Sequence, residues 1–195
     1  LGDVGDTVDL VVVATPAAGI PDIVEQCGKH GVPMMLILSA GFREVGPAGR
    51  KLEDQVKERA RQYGIRVMGP NCLGLIRPTA GINLTFGKNN AKPGNLALVS
   101  QSGAICTSIL DWALHNKVGF STMISMGASA DVDFGEALDY LAADAKTKSI
   151  LVYIEGIRKA RRFMSGLRVA ARMKPVVVVK AGRYAAGSRA AMSHT

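Results

Sequence analysis

Apolar residues in this chain fall into short unbroken runs, separated by stretches with a helical period. The runs are Leu10 to Ala14, Met34 to Leu38, Leu96 to Val99, Ile150 to Ile154 and Val176 to Val179. They are followed by the small or turn-forming segments "TPAAG", "SAG", "SQSG", "EG" and "KAG". Continuous aliphatic runs of this length predict strands buried on both faces, as in parallel sheets. Between them, Ile20 to His30, Ala48 to Tyr63, Gly103 to Asn116, Phe134 to Ala143 and Lys159 to Met173 predict amphipathic helices. Ile65 to Met68 and Phe120 to Ser125 are weaker strand candidates. Strand and helix in alternation predict doubly wound α/β units. In such sheets ligands sit beyond the carboxyl ends of the strands, and there the Ser, Thr, Gly and Glu residues of this chain cluster.

The pattern lapses between Arg77 and Gly94 ("RPTAGINLTFGKNNAKPG"), which has two prolines and no helical period. The expected organisation is therefore a first α/β unit over 1–77, a connecting segment over 78–94 and a second unit over 95–195. The first unit has few strands and opens on Leu1-Gly2-Asp3 without a methionine. A piece of a longer polypeptide is expected.

Composition adds exclusions. The hydrophobic fraction of 48% supports a substantial core. No apolar stretch approaches the roughly 20 residues needed to span a bilayer, and no basic-then-apolar leader opens the chain. Cys27, Cys72 and Cys106 are odd in number and lack Cys-x-x-Cys spacing, so neither a disulfide framework nor a structural metal site is indicated. A soluble, cytoplasmic protein with no metal of its own is expected.

The net charge of +8 is uneven: no acidic residue follows Glu155, whereas ten Lys or Arg lie between Arg158 and Arg189. Such a segment can bind nucleic acid or acidic partners. Its basic residues interleave with Phe163, Met164, Leu167 and Ala171, which fits the solvated face of one helix instead. No aromatic platform for bases accompanies the charge.

Candidate chemistry concentrates in a few places. In "VSQSGA", Ser102 is a natural N-cap between a buried strand and a helix, and Gly103 and Ala104 follow it. Exposed N–H groups and a positive helix dipole there suit a phosphate, although a plain helix cap explains the motif equally well. His30 and His115 each end a helix, a position that favours a basic residue. His194 has no such role. It follows a loop containing Gly182 and Gly187, and a neutral imidazole at neutral pH is a nucleophile.

Glu155 closes a strand at the same type of edge and is suited either to orient an imidazole or to start the next helix. No Gly-x-Ser-x-Gly elbow supports a serine hydrolase. In "MGPNCLG", Asn71 and Cys72 lie in a glycine-rich turn, with Cys72 open to a nucleophilic or a structural reading.

Taken together, "GPNCLGLIRP", "NLTF", "LALVSQSGA", "SMGASADVDFGEALDYLAAD", "YIEGIR", "KPVVVVKAGR" and "AAMSHT" resemble the ADP-forming acyl-CoA synthetases. The likeness is more distant to the α-subunit of succinyl-CoA synthetase. It runs over essentially the whole chain in order and spacing.

The resemblance implies an incomplete Rossmann-like CoA-binding unit followed by a flavodoxin-like parallel α/β ligase domain. It implies that carboxylic acid, CoA and ATP are interconverted with acyl-CoA, ADP and phosphate through an acyl phosphate and a phosphohistidine. His194 matches the phosphorylated histidine, Glu155 the carboxylate that steadies it, and Ser102, Gly103 and Ala104 the helix end that holds phosphate. Thr15, Pro16, Leu38, Ser39 and Ala40 fall where the family contacts CoA, with Asn71 and Cys72 near the thiol end.

ATP or ADP with Mg belongs to an ATP-grasp domain or β-subunit outside this chain, in an oligomer. Small carboxylic acids or acyl-CoA are the implied substrates, and the isolated segment is expected to be inactive. The family's opening strand and glycine-rich turn are missing here, as are the residues that follow Ser-His-Thr. Ala128 stands where the family commonly has asparagine. The alternative is a non-ligating, acyl-CoA-binding module of a protein lysine acetyltransferase. A nucleic-acid module using the basic segment ranks far below both.

Overall fold

A computed structural model describes Val4 and residues 6–182. Its strands form two sheets. The first is parallel, ordered β1 (Leu10–Val13), β2 (Met34–Ile37), β3 (Arg66–Met68), with Val13 opposite Ile37 and Leu36 opposite Met68. Helices α1 (Ile20–Lys29) and α2 (Pro47–Tyr63) connect these strands. Ile20, Val24 and Cys27 of α1 and Val56 and Ala60 of α2 meet Met35, Ile37 and Val67 in one core. Proline in the first turn of each helix fits a position that has no N–H bond to lose. Gly64, left-handed at φ 69°, ends α2.

The second sheet has six strands. They are β4 (Gly74–Arg77), β5 (Ile82–Thr85), β6 (Pro93–Ser100), β7 (Phe120–Ser125), β8 (Ser149–Ile154) and β9 (Val176–Lys180). Their spatial order is β5-β4-β7-β6-β8-β9. β7, β6, β8 and β9 run parallel, linked by α3 (Gly103–His115), α4 (Phe134–Ala143) and α5 (Ala160–Met173).

The pleat divides each strand between two cores. Ala97, Val99, Ile150, Val152 and Ile154 face α4 and α5, whereas Leu98, Phe120 and Met123 pack with Cys106, Leu110 and Ala113 of α3. The sheet is thus covered on both sides, as double winding requires. An Asp133–Glu136 capping box starts α4. Phe134 and Phe163 cross edge to face at 6.4 Å between α4 and α5.

The six-stranded sheet differs from the expected boundaries. Gly74–Arg77, expected to close the first unit, is antiparallel to β7, and Ile82–Thr85, expected in an irregular connection, pairs antiparallel with it. The sheet is therefore mixed at this edge. The reason is local: a Cβ at residue 74 would lie 2.0 Å from the Leu84 carbonyl oxygen, and φ there is +119°, so glycine permits the hairpin to close. Four-residue strands with polar and exposed positions leave little periodic signal.

The two units meet along a main-chain seam. Val132, Ala130 and Ala128 donate N–H bonds to the carbonyls of Val67 (3.1 Å), Gly69 (2.9 Å) and Pro70 (2.9 Å). Gly127, at φ +54°, fits because any Cβ would come within 2.3 Å of the Asn71 carbonyl oxygen. Beside the seam, Glu53 of α2 has no exposed surface. Its carboxylate accepts from Arg43 Nη2 at 2.8 Å and Nε at 3.2 Å, and from Arg158 Nη1 at 3.3 Å. One carboxylate thus ties the segment after β2 to the segment after β8.

Candidate functional site

Two residues that the sequence analysis singled out, Ser102 and Glu155, come together at the carboxyl edge of the six-stranded sheet. β6 and β8 are adjacent and parallel, with Ser100 opposite Tyr153. Ser102 and Glu155 follow these paired ends directly. Ser102 Oγ caps α3 by accepting the Ile105 N–H at 3.3 Å, and its carbonyl accepts the Cys106 N–H. The buried Ser100 hydroxyl in turn donates to the Ser102 carbonyl at 2.8 Å, fixing the turn. The N–H groups of Gly103 and Ala104 precede the first intrahelical bonds. Gly103 is half-buried and Ala104 exposed, so this helix end opens to solvent and offers donors and a positive dipole to an anion.

Glu155 lies on the α3 side of its sheet. Leu151 packs with the α3 core, and Tyr153 and Glu155 follow it at a period of two. Glu155 hydrogen-bonds to the Tyr153 side chain, and burial together with this negative neighbour raises the Tyr153 hydroxyl above its ordinary pKa. Sequence reasoning missed Gln101 and Lys180, which hold the backbone of Glu155: the Gln101 side-chain carbonyl accepts its N–H at 2.9 Å, and Lys180 Nζ donates to its carbonyl at 2.8 Å. Polar residues at a strand end signalled both positions, though not their partners.

His194 lies outside the described residues. His30 and His115 have the expected helix-terminal roles, each bonding through Nδ1 to the carbonyl four residues earlier, at 2.8 Å.

The edge of the three-stranded sheet collects the other candidates. Ser39 Oγ donates to the Thr15 carbonyl at 2.6 Å, and the Ser39 carbonyl accepts the Asn71 N–H at 2.9 Å. The Leu38 N–H reaches the Val13 carbonyl. The segments after β1, β2 and β3 are thereby joined in sequence. Thr15, Pro16 and Ala40 are exposed, while Leu38, Ser39 and Asn71 are half-buried. This surface is open enough to take an extended ligand.

Cys72 is different. It is 4% exposed, its thiol points to the Ile37 carbonyl at 3.4 Å, and burial pushes its pKa up to about 12. Of the two readings left open for it, the structural one holds, because a thiol so protonated is a poor nucleophile at neutral pH.

Between the two edges lies a cleft of about 350 Å³ lined by Gln101, Ala128, Ser129, Phe134, Ile157 and Arg158 among others. Ala128, which departs from the asparagine common in the resembled family, is at its wall. The basic residues of α5 occupy a solvated face: Phe163, Gly166 and Ala170 are buried, while Arg162 pairs with Asp133 and Glu136. Among the described residues no cluster of potential metal ligands occurs, and no helix is long and apolar enough to cross a membrane.

A doubly wound α/β pair with a serine-capped helix and a carboxylate at adjoining strand ends is an arrangement suited to binding a phosphate or nucleotide. The comparisons define it further. Residues 93–195 match the model of the succinyl-CoA ligase-like flavodoxin domain, and residues 1–78 match a CoA-binding domain. The chain belongs to the succinyl-CoA ligase-like family, with a CoA-binding domain preceding the flavodoxin-like one.

It is 42% identical, over 99% of its length, to the α-subunit of acetate–CoA ligase (ADP-forming) I of Pyrococcus furiosus, of which it covers 42%. It is 44% identical over 97% of its length to acetate–CoA ligase (ADP-forming) I of Archaeoglobus fulgidus, covering 28% of that protein. A solved structure of a dinucleotide-forming acetyl-coenzyme A synthetase 1 of Ca. Korarchaeum cryptofilum superposes on the whole chain with a TM-score of 0.94 at 36% identity, covering 43% of that chain. The same synthetase in complex with phosphate and ADP gives 0.93 at 37%, covering 42% of that chain. The chain thus spans less than half the length of these relatives. The acetyltransferase-module alternative finds no support among them.

Proposed function

We propose that this chain is the CoA-binding and phosphoryl-exchange portion of an ADP-forming acyl-CoA synthetase. The observation that carries the proposal is the meeting of the capped N-terminus of α3 with Glu155 at adjacent parallel strand ends.

In this reading the surface formed by Thr15, Pro16, Leu38, Ser39, Ala40 and Asn71 holds CoA, with Cys72 packed beneath as support. In the direction that forms ATP, phosphate attacks the carbonyl of acyl-CoA, the carbon–sulfur bond breaks and CoA leaves as the thiol, giving an acyl phosphate. In reverse the CoA thiol accepts the acyl group. Gly103 and Ala104 hold the phosphate through backbone N–H groups, and Ser102 keeps the helix end in place. A neutral nitrogen of His194 attacks the phosphorus of an acyl phosphate. The bond from phosphorus to the acyl oxygen breaks, and the carboxylate leaves with that electron pair. The ring then carries positive charge until its other nitrogen shares or gives up a proton, and Glu155 is the base that orients and stabilises it.

An ATP-grasp domain or β-subunit, with Mg, passes the phosphoryl group to ADP. That part lies outside residues 1–195, so the isolated segment does not complete the reaction. The names of the acetate–CoA ligases it resembles support small carboxylic acids as substrates. An oligomeric, cytoplasmic enzyme completes the reading.

The intact enzyme given γ-labelled ATP is expected to carry acid-labile, base-stable label on His194. Base-stable label that survives His194→Ala would reject the assignment.

A further inference from the structure

We infer that Gln101 is the positioning residue for Glu155, holding it at a fixed place beside the end of α3. The inference rests on the role given above to Glu155 and extends it to the group that sets its geometry. The Gln101 side-chain oxygen accepts two backbone N–H groups at once, those of Glu155 at 2.9 Å and Gly156 at 3.0 Å. The two lone pairs of an amide oxygen allow it to accept both hydrogen bonds. β8 ends at Ile154 and β6 at Ser100, so the sheet ladder offers no regular partner at this point. The amide side chain replaces the missing ladder contact.

Gln101 is also bonded to β8 through its own main chain, its N–H reaching the Tyr153 carbonyl at 3.0 Å. Main chain and side chain of one residue therefore grip Tyr153, Glu155 and Gly156 in turn. Lys180 Nζ fixes the other side of the Glu155 unit by donating to its carbonyl at 2.8 Å. The next residue, Ser102, sets the start of α3. The adjacent pair Gln101-Ser102 thus fixes both halves of the site, the carboxylate and the anion-binding helix end, to one strand terminus. An exchange reaction with a rigid requirement for in-line approach depends on that spacing.

The Gln101 side-chain oxygen is engaged by the Glu155 and Gly156 peptides, so its effect passes through Glu155. Replacing it by methionine keeps length and bulk while removing the acceptor. In the complete ligase, Gln101→Met is expected to lower kcat by about 10–100-fold, the scale of a small misplacement of a catalytic group. The KM values for CoA and nucleotide should stay within about twofold, since uniform binding is untouched.

Added to Glu155→Gln, the same substitution should cost nothing further, because residues acting as one unit are not additive. A merely structural role predicts the opposite, the full loss repeated in both backgrounds, and that result overturns the inference. Activity of Gln101→Met within about threefold of the parent overturns it as well, alone if Glu155→Gln is slow. A Glu155→Gln enzyme with normal turnover removes the assigned role of Glu155 and this inference together. Where Gln101→Met does not yield folded protein, Gln101→Asn shortens the reach by one methylene and carries the same test.

Discussion

At the edge of the three-stranded sheet, the segments after β1, β2 and β3 are laced through carbonyls and one serine hydroxyl, which leaves Thr15, Pro16 and Ala40 outward and unburdened. At the edge of the six-stranded sheet the side chains themselves are committed. Ser102 caps a helix, Gln101 grips two peptide groups, Lys180 holds a carbonyl and Glu155 bonds to Tyr153. An edge built by its main chain presents a broad surface, suited to holding a long ligand through many weak contacts. An edge built by its side chains presents a few groups with fixed spacing, suited to a reaction at one atom. In the proposed function, holding and reacting therefore divide according to which atoms do the structural bonding.

The sharpest break falls at Glu155. Glu155→Gln in the complete enzyme should keep the fold and slow phosphoryl exchange by about 10²–10⁴-fold, the usual loss for an acid–base partner. Single-turnover transfer of label measures it. A loss below about threefold would return Glu155 to the role of helix-terminal acid.

Next comes the tie between the edges. Glu53→Ala leaves Arg43 and Arg158, whose side chains are 31% and 39% exposed, without their shared carboxylate. The loss is expected at about 1.5–3 kcal/mol, the worth of hydrogen bonds to a charged group. Urea unfolding checks it, and a change under about 1 kcal/mol would mean that the pair behaves as an exposed one.

Alkaline titration tests both units at once. Burial raises Cys72 and Cys106 from 9.0 to about 12 in the folded chain. The unfolded chain therefore releases these protons first as pH rises. Their stabilisation is complete below about pH 9 and is lost as pH climbs through about 12, with a slope near 1.4 kcal/mol per pH unit for each thiol. Unfolding free energies measured across that window should fall less steeply in Cys72→Ala and Cys106→Ala.

The smallest effects separate the two edges most cleanly. Ser39→Ala loosens the laced surface and should raise KM for CoA several-fold, the worth of one hydrogen bond at roughly 1 kcal/mol, with kcat unchanged. Ser102→Ala removes a helix cap of similar worth, about 1 kcal/mol, and should weaken phosphate binding and turnover without moving KM for CoA. Identical changes in both parameters for the two variants would dissolve the distinction.

Most of this architecture was legible because buried parallel strands write themselves as aliphatic runs. Helix α4 appears at its expected limits, Phe134–Ala143, and α3 differs by one residue at its end. Ser102 and Glu155 were legible for a related reason: packing does not call for polar residues at strand ends. The hairpin of β4 and β5 was not, because strands of four residues give too few alternations, and Gly74 announces a close approach without naming Leu84 as its partner. Gln101 was hidden more deeply. A glutamine in a turn looks like any solvated residue until the fold brings the Glu155 and Gly156 peptides to its oxygen. Glu53 was likewise concealed: it sits in the buried stripe of α2 with Gly49, Val56 and Ala60, and its partner Arg158, 105 positions away, is brought to it only by the fold.

The seam between the units has an effect on inheritance. Its bonds from Ala128, Ala130 and Val132 join peptide groups, which every residue but proline carries in full. Replacement of side chains along this junction leaves the bonding atoms in place, whereas Gly69 and Gly127 answer to a steric limit. A lineage can therefore exchange most of its residues while passing on the mutual placement of the two halves unchanged. A superposition at TM-score 0.94 with 36% sequence identity accords with such a tolerance.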